Sequence, residues 1–282
     1  MYVSNNLYQF DPQKKEGKNM LTINELKNAK KAAVEYFKAG NKTAAAAVCK
    51  GIIANAMEKR AEIGRPFSMA EAEKFAGLHF TTEHTAKMAG MISISTVSGL
   101  NSRCEKNARI KGSICEKCFS RAMEKRGMAG KDGQILTMAM LTLCDIPSDL
   151  MPTMNAIFAR IEAFGDIENV QQVANYNKLI LANPLTRFGW WTKNPDIMGE
   201  FYEHNEKPEN VQMIYSSLMM NKAVNMETIK AMYPFIDKIF TVYESETMAI
   251  ECGKTVNCGK LHCLTCHKCY IEGVTELTEI LK

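Results

Sequence analysis

Arg187-Phe188-Gly189-Trp190-Trp191-Thr192, then an amphipathic stretch at 196–204, then Val211-Gln212-Met213-Ile214-Tyr215, read as strand, helix, strand. The two apolar runs are short and rich in aromatic and β-branched residues, and the segment between them carries its apolar residues at helical spacing. The same texture extends in both directions. Apolar runs at 91–97 and 157–164 come before this unit and one at 238–243 comes after, with amphipathic stretches at 167–182 and 226–233 between the later runs. Strands that alternate with helices favour parallel pairing. The expected fold is therefore α/β, a parallel sheet or a partial TIM-like barrel.

The chain before the first run reads as helical. Thr22 and Glu25 have the spacing of a capping box, in which each side chain satisfies a free N–H at a helix start, and Gly40 is a natural stop. Leu26, Ala29, Ala33, Tyr36 and Phe37 then share one helical face. An Ala-rich helix is expected at 44–60, and Ser68 with Glu71 opens a third. The expected organisation is a polar N-terminal segment (1–20), a helical layer (21–90), an α/β domain (91–250) and a cysteine-rich segment (251–282) that closes the domain.

The 282 residues, 46% of them hydrophobic, can fill a large core without disulfide staples. The start of the chain has no secretory pattern, and no uninterrupted apolar run approaches the roughly 20 residues a membrane span requires. A cytoplasmic protein with reduced thiols and no membrane partner is expected. Thirty-five basic and 31 acidic residues are interleaved and leave a net charge of +4, too small to call for nucleic acid as a whole-chain property. An acidic or nucleic-acid partner could meet a local patch such as Arg103, Lys106, Arg109 and Lys111, although a solvated surface is the commoner reading of such residues. There is no Gly-rich nucleotide loop, no nucleophile elbow and no His-rich zinc motif, so several common enzyme classes are set aside.

The ten cysteines carry the chemistry. Cys104-x10-Cys115-x2-Cys118 lies between a strand and a helix, and Cys252-x5-Cys258-x4-Cys263-x2-Cys266-x2-Cys269 places five thiols in a short polar segment. Cys-x2-Cys-x2-Cys is a spacing used by 4Fe-4S clusters, because adjacent thiolates reach different irons of one centre. Two Cys-x2-Cys knuckles, Cys115 with Cys118 and Cys263 with Cys266, would also suit zinc, and both metals stay open. His262 and His267 lie inside the late run as alternative ligands. Cys49 and Cys144 sit in apolar settings and read as core packing. One or two clusters, and one spatial neighbourhood for both cysteine groups, are the expectation.

In parallel α/β folds the site lies at the carboxyl ends of the strands. This picks out Ser95 and Thr96, then Glu162, Gly165 and Asp166, then Thr192, Lys193 and Asn194, then Ser216 and Ser217, and finally Glu244. Glu162, Asp166 and Lys193 are the expected catalytic groups that orient substrate. Ser95, Thr96, Thr192 and Ser216 are the expected cofactor contacts.

The order of these landmarks resembles a phage-encoded family, the gene product 88 family. Cys115-x2-Cys118-Phe119-Ser120 looks like its Cys-x2-Cys-Tyr-Ala element, and the run from Phe158 to Gly165-Asp166 looks like its strand ending in Ser-Gly-Asp. Phe188-Gly-Trp-Trp-Thr192-Lys193 is similar to its aromatic-Thr-Lys strand, and Cys263-x2-Cys266-x2-Cys269-Tyr270 to its closing cysteine run. The resemblance covers residues 91–270 and implies a location in the cytoplasm of the host cell. It also implies an architecture similar to radical S-adenosylmethionine enzymes, although the Cys-x3-Cys-x2-Cys loop of those enzymes is replaced here by the ten-residue first spacing. The functional expectation is a 4Fe-4S redox or radical S-adenosylmethionine-like enzyme acting on an unknown small-molecule or macromolecular substrate. Its alternative is a zinc-stabilised module that binds nucleic acid or a host protein, with Lys254, Lys260 and Lys268 adding charge inside the late run.

Overall fold

Thr22 and Glu25 form their reciprocal cap: Thr22 Oγ1 accepts the Glu25 N–H at 3.3 Å, and the Glu25 carboxylate accepts the Thr22 N–H at 2.8 Å. It opens α1 (Ile23–Lys38), which pairs with α2 (Lys42–Ile63) through Leu26, Ala29, Ala33 and Phe37 on one side and Val48, Cys49, Ile52 and Ala56 on the other. The computed structural model describes residues 20–127 and 129–281, so most of the expected polar segment 1–20 lies outside the described residues. Ser68 and Glu71 close the second capping box, but α3 (Met69–Glu71) runs for one turn before the backbone widens and stops at Gly77, in the left-handed region.

The elements that follow are β1 (Phe80–Thr81), β2 (Ile92–Ile94), α4 (Ser102–Ala108), α5 (Phe119–Lys125) and α6 (Asp132–Leu143). Then come β3 (Phe158–Ile161), α7 (Val170–Leu181), β4 (Arg187–Thr192), α8 (Pro195–Tyr202), β5 (Val211–Ser216) and α9 (Met226–Met232). The chain ends with β6 (Lys238–Tyr243), α10 (Glu246–Glu251), α11 (Cys263–Cys266) and β7 (Glu276–Ile280). Seven strands form one sheet in sequential order, β1 antiparallel to β2 and every later pair parallel. The expected α/β architecture is present, with β1 and β7 added to the five strands read from the sequence. Among the described residues, no helix is long and apolar enough to cross a membrane.

The crossovers from β2 to β6 place their helices on one face of the sheet, and the β6–β7 connection lies on the other. Ala159, Ile161, Phe188, Trp190, Val211, Met213 and Ile239 on the helical face pack with Tyr176, Leu179, Ile197, Met198 and Ile229 of the crossover helices in one large core. α6 is buried on nearly all sides, between α7 and the α1–α2 pair. The alternate strand residues face away from the helices. On that second face Trp191 and Ile214 join Met91, Tyr270 and Leu277 in a separate core, with Phe158, Phe240, Cys263 and Cys269 packed against it. The cysteine-rich segment, with the single turn α11, is thus the cover of the face that α6–α9 leave open.

Gly189 makes that cover fit. A Cβ there would stand 2.8 Å from Tyr270 Cε1, 2.9 Å from Trp191 Cζ3 and 3.1 Å from the Cys269 carbonyl oxygen. Overpacking of this kind costs about 1–3 kcal/mol. Gly189→Ala is expected to lower the unfolding free energy measured in urea by that much, with a lower midpoint, and to raise solvent quenching of tryptophan fluorescence; an unchanged midpoint would contradict the packing of Tyr270 on β4.

Candidate functional site

The carboxyl ends of β2, β3 and β4 are joined by buried polar groups. Glu162, in the left-handed region at φ 57, accepts from the Thr96 N–H at 3.1 Å, the Thr96 hydroxyl at 2.9 Å, Gln172 Nε2 at 2.7 Å and the Tyr176 hydroxyl at 2.7 Å. Ser95 Oγ accepts the Ala163 N–H at 3.0 Å. Asp166 accepts from the Thr192 hydroxyl at 2.8 Å, the Ile167 N–H at 2.8 Å and the Lys193 N–H at 2.9 Å, and Thr192 Oγ1 accepts the Asn194 N–H at 2.9 Å. Gly165, at φ +75, leaves no room for a side chain, because a Cβ would meet Thr96 Oγ1 at 2.4 Å. Glu162 is therefore engaged on all sides with α7 and β2, as a positioning residue for the rim. Thr96, Thr192 and Ser95 join the strand ends in the same way. Ser216 and Ser217 are buried at the end of β5, with Ser217 Oγ donating to the Met219 carbonyl at 3.1 Å.

Residues 98–126 form a strap across this rim. Asn101 holds one side: its Oδ1 caps α4 at the Cys104 N–H (2.8 Å) and its Nδ2 donates to the Asp166 carbonyl (2.9 Å). Ser102 donates to Glu168, Ile114 N–H donates to the Leu218 carbonyl at 2.8 Å, and Lys117 pairs with Glu244 at 3.0 Å. Ser120 bonds Ser98 at 2.6 Å, and Glu124 accepts the N–H groups of Ser98 and Gly99. Exposed Glu244 is thus a tether for the strap, its carboxyl held below the usual range by Lys117 and Asn221.

The strap brings Cys104, Cys115 and Cys118 close to Asp166 and Lys193, as the electrostatics record. Burial pushes the Cys104 thiol up, Asp166 adds to the rise and Lys193 opposes it; burial also raises Cys115, again against Lys193. Burial disfavours the Lys193 ammonium, yet Cys115, Asp166, Cys104 and Cys118 together hold it above its ordinary value. This is the part of the expected site that assembles: three thiols, one carboxylate and one cation.

The second group lies on the face that α6–α9 leave open. Cys258, Cys263, Cys266 and Cys269 line one cleft with Lys87, His267, Lys268 and Tyr270. The Cys258 N–H donates to the Thr278 carbonyl on β7 at 3.0 Å, and the Cys263–Cys266 turn ends at His267 in the left-handed region, φ 38. Lys87 Nζ lies 3.9 Å from Cys258 Sγ and pairs with Glu279. The Arg160 guanidinium lies 3.9 Å over the Trp191 ring, and its buried Nε has no hydrogen-bond partner. Burial raises the Cys258, Cys263 and Cys269 thiols, Cys269 to about 12, while Arg160 pulls Cys263 and Cys269 back down and Lys87 does the same for Cys258.

The two cysteine groups lie on different connections of the sheet. The early cysteines lie in the β2–β3 connection, which crosses the strand ends, and the late ones lie in the β6–β7 connection, which covers a face. Cys252 stands apart, its Sγ 3.5 Å from the Asn221 carbonyl. His262 is exposed, and His267 stacks on Phe158 with centroids 5.9 Å apart. Cys49 and Cys144 are buried in the helical layer, as read from their apolar settings. Lys87, Arg160, Gln172 and Tyr176 were not singled out from the sequence. Arg160 had a signal, a cation placed between Ala159 and Ile161 in an apolar strand; the other three had none.

Among the described residues, no three or more His, Cys, Asp or Glu side chains stand as a ready-formed site for a metal ion. The fit to a metal rests on donor chemistry instead. Four thiols on one cleft are the donor set that iron-sulfur clusters and zinc take, and Lys87 and Arg160 face them with positive charge.

Desolvation moves the Glu162 carboxyl up to about 8, in spite of the hydrogen bonds from Thr96 and Tyr176 that favour its charged form. An acid raised on folding binds more protons in the native state, so its contribution is full below the unfolded value near 4.3 and is lost as pH rises through about 8. Stability is expected to fall between these limits, and Glu162→Gln should flatten that slope in urea titrations run at pH 5, 7 and 9. Parallel slopes in the two proteins would disprove the assignment. Comparison of the chain with protein families, curated proteins and solved structures gives no match.

Proposed function

We propose that this chain is an iron-sulfur protein in which Cys258, Cys263, Cys266 and Cys269 hold a 4Fe-4S cluster, with Cys104, Cys115 and Cys118 as the ligands of a second. The observation that carries the reading is the cleft lined by Cys258, Cys263, Cys266 and Cys269, with the Glu279-paired Lys87 ammonium 3.9 Å from Cys258 Sγ and Arg160 near enough to lower the Cys263 and Cys269 thiols. Four thiolates bring more negative charge than a buried site tolerates without cations, and these two side chains supply them. A bound cluster supplies one-electron chemistry, and three thiols leave one iron of a cluster without a protein sulfur. At the rim, Lys193 offers a cation to an anionic group of a small molecule, and Asp166 holds the Lys193 backbone in place.

Membership of the gene product 88 family, and S-adenosylmethionine as a co-substrate, belong to this proposal through the motif resemblance alone. A reducing compartment such as the cytoplasm suits the free thiols. The zinc reading keeps one observation in its favour. Cys263 and Cys266 sit on a single turn that closes with a left-handed residue, a knuckle that four thiols would complete as a tetrahedral site.

Anaerobic purification and reconstitution separate the two. About four iron and four sulfide per cluster are expected, with a broad visible absorbance that disappears in a Cys263→Ser/Cys266→Ser double variant. Cys104→Ser should remove only the share of the rim site, and Cys252→Ser should remove none. Stoichiometric zinc without sulfide would replace the iron-sulfur reading by the zinc one.

A further inference from the structure

Residues 102–126, the strap over the rim, contain eight Lys and Arg against three Asp and Glu, a net +5 in a chain whose total is +4. The even charge distribution of the whole chain therefore conceals one basic element. Its three acids are engaged locally: Glu124 accepts from Ser98 and Gly99, Glu116 from the Gly112 N–H, and Glu105 pairs with Arg121 at 3.6 Å. Arg103, Lys106, Arg109, Lys111, Lys125 and Arg126 are exposed, and no described acid pairs with them. Phe119 stands in the same element, 62% exposed. Its ring lies nearly parallel to that of Phe164, with centroids 6.3 Å apart and planes 15° apart, and is open to solvent.

We infer that this strap is a binding surface for single-stranded nucleic acid. Phosphates are drawn by a net positive field, and an exposed ring gives an unpaired base a face on which to stack. A duplex hides its base faces, so it can use the charge but not the ring. A lipid surface would call for a cluster of apolar side chains, where this strap exposes Phe119 and Ile110 among the charges. The binding surface stands on charge and ring exposure alone. That the bound strand is also the substrate of the rim, where Cys118 directly precedes Phe119, rests on the proposed iron-sulfur reading.

The test is fluorescence anisotropy of a labelled single-stranded DNA of about 16 nucleotides, within the range one domain covers, at several salt concentrations, with metal content measured on the same sample. Binding at low salt that weakens steeply as salt rises is the expected result. The quadruple variant Arg103→Gln/Lys106→Gln/Arg109→Gln/Lys111→Gln should lose at least about tenfold in affinity and should reduce the salt slope by about 0.7 for each phosphate contact removed. Phe119→Ala should cost about tenfold on the single strand and leave a duplex of equal charge unaffected. An Arg187→Gln/Lys230→Gln control, at the opposite ends of the strands, should bind as the parent does, and thermal unfolding by circular dichroism confirms that each variant is folded. No binding at low salt, equal binding by the quadruple variant, or displacement by heparin with no effect of Phe119→Ala would overturn the inference. Preferential binding of anionic vesicles would overturn it as well. Binding by a sample without iron would leave the surface standing and remove the iron-sulfur reading.

Discussion

A parallel sheet wound in one direction buries one face under its own crossovers and leaves the other without those helices. Everything distinctive in this chain answers that constraint. The helical face is closed by α6, α7, α8 and α9, with α1 and α2 packed outside α6. The other face has only the loop before β2 and the segment before β7, and the small core of Met91, Trp191, Ile214, Tyr270 and Leu277 is what they bury. Tyr270 lies against Gly189 because no other residue at that position would let the segment approach. The same segment carries four of the thiols. Cover and ligand set are therefore one piece of chain.

A second consequence concerns polar groups. The face that α6–α9 leave open presents Arg160 from β3 and Lys238 from β6, a pattern that an apolar cover would not tolerate. Lys238 is 1% exposed and donates to the Ile271 and Val274 carbonyls, so it anchors the far end of the cover; burial lowers its pKa. Arg160 has no such carbonyls at its Nε and lies beside Cys263 and Cys269. Lys238 is satisfied by backbone, whereas Arg160 has the Met88 thioether at 3.8 Å and the Trp191 ring, with Cys263 and Cys269 near enough to feel its charge. That difference is why the cleft reads as a site and the Lys238 end reads as structure.

The strand-helix alternation was legible because each of the five interior runs carries its own apolar pattern, and both capping boxes were legible because they depend on neighbours three residues apart. β7 was not, since Glu276-Leu-Thr-Glu-Ile280 has two acids at an edge and gains its place only by pairing with β6. α6 was missed for the opposite reason: a helix buried nearly all round has no polar face to mark its period. At the site, Asp166, Lys193 and the first three cysteines were found because strand ends and thiol spacing are local signals. Glu162 was found as well, but its role was not, because Gln172 and Tyr176 approach it from a helix whose side chains can be placed only in three dimensions. The placement of the two cysteine groups likewise follows from which connection crosses the rim and which lies on the face.

On the proposed metal reading, the union of cover and ligand set would make metal occupancy and folding one equilibrium. Binding to the native state alone stabilises it in proportion to the logarithm of free ligand over dissociation constant. The thiols of the cover are raised by burial, so a metal that takes them as thiolates must displace protons, and its hold grows with pH. Glu162 acts in the opposite sense at the rim, since its contribution declines as pH rises through about 8. A metal-loaded protein therefore gains at the cover, with rising pH, part of what it loses at the rim, whereas a metal-free one has only the loss. The cover is held to β4 and β6 chiefly by Tyr270, Leu277 and the Lys238 carbonyl contacts, with Leu261, Leu264 and Ile271 left exposed. Its own apolar burial is small, so on the proposed reading its order would gain from the metal its cysteines are suited to hold.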